Sequence, residues 1–353
     1  AMVKSFNHLW PKITSWNNLV RAYQKCRRHK RYKRPATEFD FSWESNLLEL
    51  QRDLLSDKYR PGDYSSFYII EPKRRKISAA PFRDRVVHHA LVNVLEPLFE
   101  RRFIFDSYAC RRGKGTHRAI KRSQYYLRKH PWCLKTDIVK FFPNIDHIEL
   151  LRVIGKTVRD EATMGLIRRI LHSGEGLLSD EATPHFFEGD DLFSVLRPKG
   201  LPIGNLTSQF FANVFLDPID HFIKEDLRVP GYVRYADDLL LFGDSKAQLW
   251  QWQTAITELL EDWRLLLHKN KTHVLPTHCG INFLGMRVFQ NGLRFNQNGI
   301  RRFNSRVKRF RWLKKRGAIN PARITASIRA WLSYARFANT AGIREAIWRR
   351  LKF

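Results

Sequence analysis

The sequence predicts an α+β fold in which antiparallel strands carry acidic residues and a basic, all-helical segment ends the chain. Three observations predict it. Apolar strand-forming runs flank the pair Asp237–Asp238, a similar run leads into Asp137, and apolar residues recur at helical spacing from residue 303 onward. With 353 residues, 43% of them apolar, the chain can form one large core or two to three smaller ones.

The pair Asp237–Asp238 belongs to the string Tyr-Ala-Asp-Asp in residues 233–242, between two runs of strand-forming, mostly apolar residues. Neighbouring residues of a strand face opposite ways, so two adjacent acids belong at a tight turn, where both can approach one point. Concentrated carboxylate oxygens suit Mg²⁺, which takes one or two carboxylates together with substrate phosphates. The alternative is an exposed hairpin tip, since Asp is common in turns.

A third acid, Asp137, follows the strand-like start of residues 134–142. By itself it could cap the next helix. Together with Asp237 and Asp238, it gives three carboxylates on two strands, which can hold two metal ions for in-line transfer of a nucleotidyl group. We therefore predict that these three residues are catalytic and bind two Mg²⁺ ions, with Ile138 lending only its backbone carbonyl.

The charge of the chain indicates a polyanionic partner. Lys and Arg number 63 against 34 Asp and Glu, a formal net charge of +29. The excess is local: residues 286–353 hold 18 Lys or Arg and the single acid Glu345, and residues 21–34 hold eight basic residues besides His29. Solubility surfaces usually mix both signs, so this bias favours nucleic acid over a membrane surface.

Several protein classes are disfavoured by composition. No run of 18 apolar residues occurs, and no secretory pattern opens the chain, so we expect a soluble, cytoplasmic protein that does not enter a membrane. The cysteines Cys26, Cys110, Cys133 and Cys279 lack metal-like pair spacing. They fit a reducing compartment and argue against a zinc site.

Periodicity predicts most of the elements in order. Residues 1–35 predict a helix that ends in a basic arm. An acidic insertion, residues 174–199, is expected at the surface, with room for a short hairpin. Helices are predicted over 41–57, 84–101, 118–129, 146–154, 161–172, 206–227 and 246–265, strands over 66–71, from 77, over 133–137, around Tyr235 and over 281–288, and three basic amphipathic helices in the tail.

The order of these strings resembles that of reverse transcriptases, and the resemblance covers nearly the whole chain. It is carried by residues 137–142, the string Tyr235 to Asp238, and the glycine-containing block 200–209 between them. That block has Ile203-Gly204 and Ser208-Gln209 where most reverse transcriptases have Gln-Gly and Ser-Pro. This departure is similar to the reverse transcriptases of diversity-generating retroelements.

Further strings support that subfamily, namely residues 71–77, 81–89, 108–117 and 280–285. Ala236 departs from it, because methionine is usual there. The resemblance implies a right-hand polymerase with antiparallel sheet in fingers and palm and an all-helical basic thumb. The domains would be an N-terminal helical and basic extension (1–45), fingers (46–130), palm (131–290, with the acidic insertion) and thumb (291–353).

The resemblance also implies roles for further residues. Those expected to bind the incoming deoxynucleoside triphosphate are Lys73, Arg75, Phe142, Ile203, Gly204, Gln209 and Lys271, and those expected at the primer or template are Arg85, Tyr235, Phe283, Leu284 and Gly285. Some of these residues have a plainer alternative: a core aromatic for Phe142, a generic basic hairpin for Lys73 and Arg75, and a surface lysine for Lys271.

Ile203 has a distinct chemical consequence. An aliphatic side chain in place of an amide removes hydrogen bonds that would hold the incoming nucleotide, so the penalty for mispaired geometry should shrink. The resemblance agrees, because retroelement enzymes copy template adenines inaccurately and so diversify a target gene. The alternative is that Ile203 only packs.

The resemblance implies an RNA-directed DNA polymerase of bacterial or phage origin. Its partners would be template RNA, cDNA and a ring-forming, basic accessory variability determinant protein. Rival interpretations are another bacterial reverse transcriptase, of the retron, group II intron or phage-defence kind, with ordinary fidelity; an RNA-binding module with dead catalytic acids; and a structural nucleoprotein. The last two leave the intact acids without a purpose.

Overall fold

The computed structural model describes residues 5–70 and 74–350, and it contains both helices and antiparallel sheets. The α-helices are α1 (Trp10–Thr14), α2 (Trp16–Arg27), α3 (Arg34–Phe41), α4 (Trp43–Leu55), α5 (Phe82–Glu100), α6 (Thr116–Lys129), α7 (Phe141–Asn144), α8 (His147–Gly155), α9 (Glu161–His172), α10 (Leu206–His221), α11 (Lys246–Asp262), α12 (Gln297–Lys315), α13 (Pro321–Ala335) and α14 (Ala341–Arg350). The strands are β1 (Ser65–Ile69), β2 (Arg75–Ala79), β3 (Trp132–Asp137), β4 (Gly231–Tyr235), β5 (Asp238–Gly243), β6 (His273–Pro276), β7 (Ile281–Phe283), β8 (Met286–Val288) and β9 (Leu293–Phe295).

The strands form three sheets. The central one has the order β4-β5-β3-β6, with β4 antiparallel to β5 and β3 antiparallel to β6. The other two are the hairpin β1-β2 and the antiparallel meander β7-β8-β9. The α+β prediction is therefore confirmed.

The chain folds into two compact units, each assembled from separate segments of the sequence. Unit 1 comprises Ala1–Phe105, Asp137–Asp226 and Thr254–Lys269, and unit 2 comprises Asp106–Thr136, Leu227–Gln253 and Asn270–Phe353.

Unit 2 is built around the central sheet, against which α6 packs. Leu127 of α6 and Val233, Leu240 and Phe242 of the sheet are fully buried. The ring of Tyr126 stacks on Phe242 with centroids 5.4 Å apart. Apolar runs on β4 and β5 are thus buried along their length, as a central strand requires.

The basic tail forms the three predicted helices, α12 to α14. One buried cluster contains Phe303 and Val307 of α12 and Ile347 of α14. The ring of Phe303 stacks on that of Trp331 in α13, with the ring centroids 4.0 Å apart. The three helices predicted for the tail are therefore confirmed within the described residues.

Unit 1 holds the amino-terminal helices, and α2 packs on α5. Asp84 in the first turn of α5 is buried and accepts hydrogen bonds from Tyr59 Oη and Gly62 N, both at 2.8 Å. This carboxylate therefore ties the turn that follows α4 to the start of α5.

The acidic insertion differs from its prediction. Residues 174–199 contain turns and a short 3-10 helix (Leu192–Leu196), with no strand among them, so the expected hairpin is wrong. Arg264 holds Asp190 through two hydrogen bonds of 2.6 and 2.7 Å, and Arg197 holds Asp146 at 2.6 Å. These ion pairs are largely shielded from water and anchor the insertion. More than half of its residues are exposed, so its predicted place at the surface is confirmed.

Helix α10 ends earlier than predicted. It stops at His221 and continues as one turn of π-helix, Phe222–Asp226. The His221 ring lies 2.6 Å from Glu225 Oε1, 3.5 Å from Asp217 Oδ1 and 3.1 Å from the Arg102 carbonyl. These acceptors, Asp217 first, raise the pKa of His221 from 6.5 to about 9.

None of the helices in the described ranges has the length and apolar character needed to cross a membrane.

Protonated His221 should stabilise the folded chain in a pH-dependent way. Because its folded pKa is raised from 6.5 to about 9, the stabilisation is fully present below pH 6.5 and is lost as pH rises through about 9. We expect His221→Gln to remove that loss from the pH dependence of the melting temperature. His278→Gln, at an exposed histidine, is the control. Parallel curves for wild type and His221→Gln would contradict the assignment.

Candidate active site

Asp237 lies in the two-residue turn that joins β4 to β5, and Asp238 is the first residue of β5. Tyr235 pairs with Asp238 across the hairpin, and Ala236 and Asp237 form the loop. Ala236 has φ 54°, a left-handed conformation that costs a non-glycine residue about 1 kcal/mol or more. Both carboxylate residues are half-buried. The predicted turn is therefore present, and its backbone is strained at the residue that precedes the acids.

Arg234, directly before the turn, is 1% exposed although it carries a charge. Its Nη1 donates a hydrogen bond to the carbonyl of Ala236 at 3.4 Å. Tyr235 places its hydroxyl 3.1 Å from the hydroxyl of Thr116, the first residue of α6. Both side chains therefore fix the conformation of the turn from within unit 2.

A buried carboxylate supports the strand that leads into the turn. Asp106 accepts hydrogen bonds from Arg122 (2.8 and 3.2 Å), Tyr126 (2.8 Å) and Tyr108 (3.0 Å). Its carbonyl accepts the N–H of Arg234 at 2.9 Å, and Tyr108 N donates back to the Arg234 carbonyl at 2.9 Å. Burial, followed by the Asp106 charge, raises the pKa of both phenols, so they remain donors.

The meander of unit 2 carries the residues expected at the primer. Phe283 pairs with Met286, which leaves Leu284 (φ 47°) and Gly285 (φ 80°) as a two-residue turn. Positive φ at both central positions defines a type I′ turn. Tyr334 of α13 donates its hydroxyl to the Leu284 carbonyl, and its pKa is raised by burial. This hydrogen bond therefore connects the turn to helix α13.

In unit 1, the loop before α10 holds two of the expected nucleotide-binding residues, Ile203 and Gly204, and it contacts a third, Phe142. Leu201 N donates to the Phe142 carbonyl at 2.9 Å, and Ser78 N of β2 donates to the Ile203 carbonyl at 2.9 Å. Ile203 is half-buried and Gly204 is exposed.

The remaining expected nucleotide contacts are more scattered. Arg75 is the exposed first residue of β2, and Gln209 is exposed in the first turn of α10. Lys271 ends a 3-10 helix (Lys269–Lys271) in unit 2, and Lys73 lies outside the described residues.

Asp137 is the last residue of β3 and the first residue of the second segment of unit 1. It is half-buried, and its carbonyl accepts the N–H of His268 at 2.8 Å. Ile138 is 1% exposed and forms an antiparallel bridge with Leu267.

Arg85 lies on α5 with its guanidinium 5.4 Å from the centre of the Phe82 ring. Burial raises the pKa of the Cys26 thiol in α2, and the charge of Arg85 opposes that rise. Its Nε is buried without a hydrogen-bond partner among the residues that the structure describes. Arg85 therefore faces the amino-terminal helices, and its expected template role stays a prediction.

The donor set fits a hard divalent cation. Within residues 5–70 and 74–350, no group of three or more His, Cys, Asp or Glu side chains is arranged to hold a metal ion. Asp237 and Asp238 on one turn nevertheless supply the one or two carboxylates that Mg²⁺ takes when substrate phosphates complete its shell. The joint site with Asp137 stays a prediction.

Comparison with known proteins gives one family match. The family described as reverse transcriptase (RNA-dependent DNA polymerase) matches residues 70–288. The protein YkfC of Escherichia coli (strain K12) is 26% identical over 62% of this chain and 54% of its own length. The group II intron-encoded protein LtrA of Lactococcus lactis subsp. cremoris is 25% identical over 52% of this chain and 29% of its own length. The chain thus spans about half the length of these relatives or less.

Among solved structures, apo telomerase from Candida tropicalis aligns with a TM-score of 0.44 and 11% identity, over 71% of this chain and 53% of that one. This likeness is too low to support an inference about function.

Removal of the Arg122 side chain should destabilise the support of the turn. It leaves the buried carboxylate of Asp106 without its cation, so we expect Arg122→Ala to lower the free energy of unfolding by about 3 kcal/mol in denaturant titrations. Arg349→Ala is the control, because its pair with Glu345 is exposed and should contribute less than about 1 kcal/mol. Equal losses in the two variants would contradict the role given to Asp106.

Proposed function

The chain belongs to the reverse transcriptase (RNA-dependent DNA polymerase) family, and we propose that it copies an RNA template into DNA. The observation that carries the proposal is the β4-β5 hairpin, in which Asp237 lies in the turn and Asp238 follows it between two buried strands. An RNA-binding module or a structural nucleoprotein would need only the basic surfaces and would not need this turn.

We propose that Asp137, Asp237 and Asp238, with the carbonyl of Ile138, hold two Mg²⁺ ions. When bound, such ions activate the 3′-hydroxyl of a primer and stabilise the departing pyrophosphate. The role of the chain is to orient its carboxylates. For Asp237 and Asp238, the strained Ala236 and the buried Arg234 supply that orientation.

Other side chains bind and orient the substrates in this proposal. Arg75, together with Lys73, would hold the triphosphate, because a guanidinium offers two parallel donors to phosphate oxygens. Phe142 would exclude a 2′-hydroxyl by its bulk, and Lys271 would donate a proton to pyrophosphate. Gly204 and Gln209 would lie beside the incoming nucleotide.

The primer and template would contact Arg85, Tyr235 and the turn Phe283 to Gly285. Basic helices of the tail would hold the duplex mainly through its phosphates, so binding should weaken steeply with salt. In this proposal the chain has four domains: an N-terminal extension (1–45), fingers (46–130), palm (131–290) and thumb (291–353).

We further propose that the enzyme is the error-prone reverse transcriptase of a diversity-generating retroelement. Ile203-Gly204 and Ser208-Gln209 support this subtype. The alternative, a retron, group II intron or phage-defence enzyme of ordinary fidelity, is equally consistent with the intron-encoded relative. Paired template and variable repeats in the flanking DNA would favour the retroelement, and their absence would favour the alternative.

The retroelement subtype brings a basic, ring-forming accessory protein as a partner. The acidic insertion offers it carboxylates, among which Asp180, Glu188 and Asp191 are exposed. Asp190 is already held by Arg264. Leu192 and Phe193 are 83% and 76% exposed beside these acids, so the surface combines charge with apolar contact.

Loss of one carboxylate at the turn should abolish synthesis. With purified protein, an RNA template, a DNA primer, deoxynucleoside triphosphates and Mg²⁺, we expect wild type to extend the primer and Asp237→Ala to lose at least about 10³-fold in rate, because charge stabilisation at the reacting phosphate is removed. Asp244→Ala is the matched control: it follows β5 in the same unit, and its side chain is 76% exposed.

No extension by wild type, or undiminished extension by Asp237→Ala, would contradict the catalytic assignment. Reduced extension by Asp244→Ala equal to that of Asp237→Ala would show that the turn has no special role.

Fidelity at template adenine should depend on residue 203. We expect wild-type cDNA to carry more errors opposite adenine than opposite the other bases, and Ile203→Gln to reduce them by about fivefold, since an amide restores hydrogen bonding worth about 1 kcal/mol. Sequencing of cDNA from one template measures this. Equal, low error at all four bases in wild type would overturn the error-prone subtype.

A further inference from the structure

Asn205 stands at the amino-terminal cap of α10, yet its side chain makes no capping hydrogen bond. Asparagine is favoured at this position because its side-chain oxygen accepts a backbone N–H of the first helical turn. Here the residue is 2% exposed, and its amide is directed elsewhere. A buried asparagine that gives up its usual cap must obtain its hydrogen bonds from another element.

Those hydrogen bonds go to β2 and to the loop that precedes α10. The amide Nδ2 donates to the carbonyls of Ser78 (2.8 Å) and Pro202 (3.1 Å), and Oδ1 accepts the N–H of Ala80 at 3.1 Å. Backbone carbonyls only accept and the N–H only donates, so the partners fix which way the amide points. Asn205 therefore joins the loop to both sides of one position in β2.

The same loop makes two further close approaches to β2. Ser78 N donates to the Ile203 carbonyl at 2.9 Å. Gly204 has φ 122°, and a Cβ there would lie only 2.9 Å from Ile77 Cγ2. Because glycine alone tolerates both the conformation and the contact, residues 203–205 are held against β2 by geometry as well as by hydrogen bonds.

We infer that Asn205 is a positioning residue that fixes Ile203 against β2 and thereby sets nucleotide selection. The inference rests on the proposed function of the Ile203 loop, and nothing in it requires Asn205 to touch the nucleotide. Its amide binds the carbonyl of Pro202, directly before Ile203. Because Asn205 itself follows Ile203 by two residues and is bound to β2, the backbone is held on both sides of Ile203. The side chain of Ile203 can then vary in chemistry while its location stays constant.

Asn205→Asp tests this with a minimal change. The carboxylate keeps an acceptor for Ala80 N–H but loses both donors and places an oxygen against two buried carbonyls. We expect the KM for the correct deoxynucleotide to rise by about tenfold and the ratio of correct to incorrect kcat/KM to change by a similar factor. The Kd for primer–template should stay within about twofold.

Asn18→Asp is the matched control. Its amide also donates to two carbonyls, those of Ile13 (2.9 Å) and Ala90 (3.0 Å), and accepts from Asn93 at 3.0 Å, but it lies between α2 and α5. The same chemical change there should lower the melting temperature without altering KM or the ratio for nucleotides. If Asn205→Asp does not fold, Asn205→Ser, which removes both amide donors and shortens the side chain, is measured in the same way.

A merely structural role predicts a different result. Destabilisation reduces the active fraction, so kcat would fall equally for every nucleotide while KM and the selection ratio stayed at the wild-type values. That outcome, or a change of the same size in Asn18→Asp, would overturn the inference. Loss of extension by the wild type would instead contradict the proposed function, so the two failures are distinguishable.

Discussion

The rest of the account depends on the turn between two strands that are buried along their length. Burial of β4 and β5 fixes their register, so the acids cannot slide away from the loop between Tyr235 and Asp238. The Arg234 side chain donates to the carbonyl of Ala236 in that loop, and the Asp106 backbone binds the backbone of Arg234. The buried Asp106 carboxylate stabilises this support only while it keeps its partners Arg122, Tyr126 and Tyr108. In a chain with a net charge of +29, a fixed point of negative charge is the natural place for divalent cations and, through them, for phosphates.

The nucleotide-facing half of the proposal follows a different physical rule. In unit 1 the loop before α10 forms backbone hydrogen bonds with Phe142, which accepts, and with Ser78, which donates. The side-chain amide of Asn205 adds further hydrogen bonds to β2. Position is thus set by main-chain geometry, and under the proposed function the side chain at 203 then determines selectivity. An aliphatic residue there offers contact without directional hydrogen bonding, which agrees with the error-prone subtype that we propose.

Much of the fold could be predicted because its signals are local. Periodic apolar residues located the long helices, including α12 with Phe303, and the acid pair located the hairpin. Short strands such as β6 and β9 were not predicted, because three or four residues are too few to show a periodicity of apolar residues. The residues that support the site could not be predicted for another reason. Asp106 and Arg234 are 128 positions apart in the sequence, and Asn205 and Ser78 are 127 apart, so only the tertiary fold brings each pair into contact. The short hairpin expected in the acidic insertion was wrong because turn residues and acids fix the loop by ion pairs rather than by strand pairing.

Titration of Mn²⁺ in the presence of primer–template, followed by electron paramagnetic resonance, most directly tests whether Asp137, Asp237 and Asp238 share one pair of metal ions. The expected result is binding of two ions by wild type, weakened by at least about tenfold in both Asp137→Asn and Asp237→Asn and unchanged in Asp244→Asn. Equal binding in wild type and Asp137→Asn would show that the acids of the two units do not act together, and the proposed mechanism would fail.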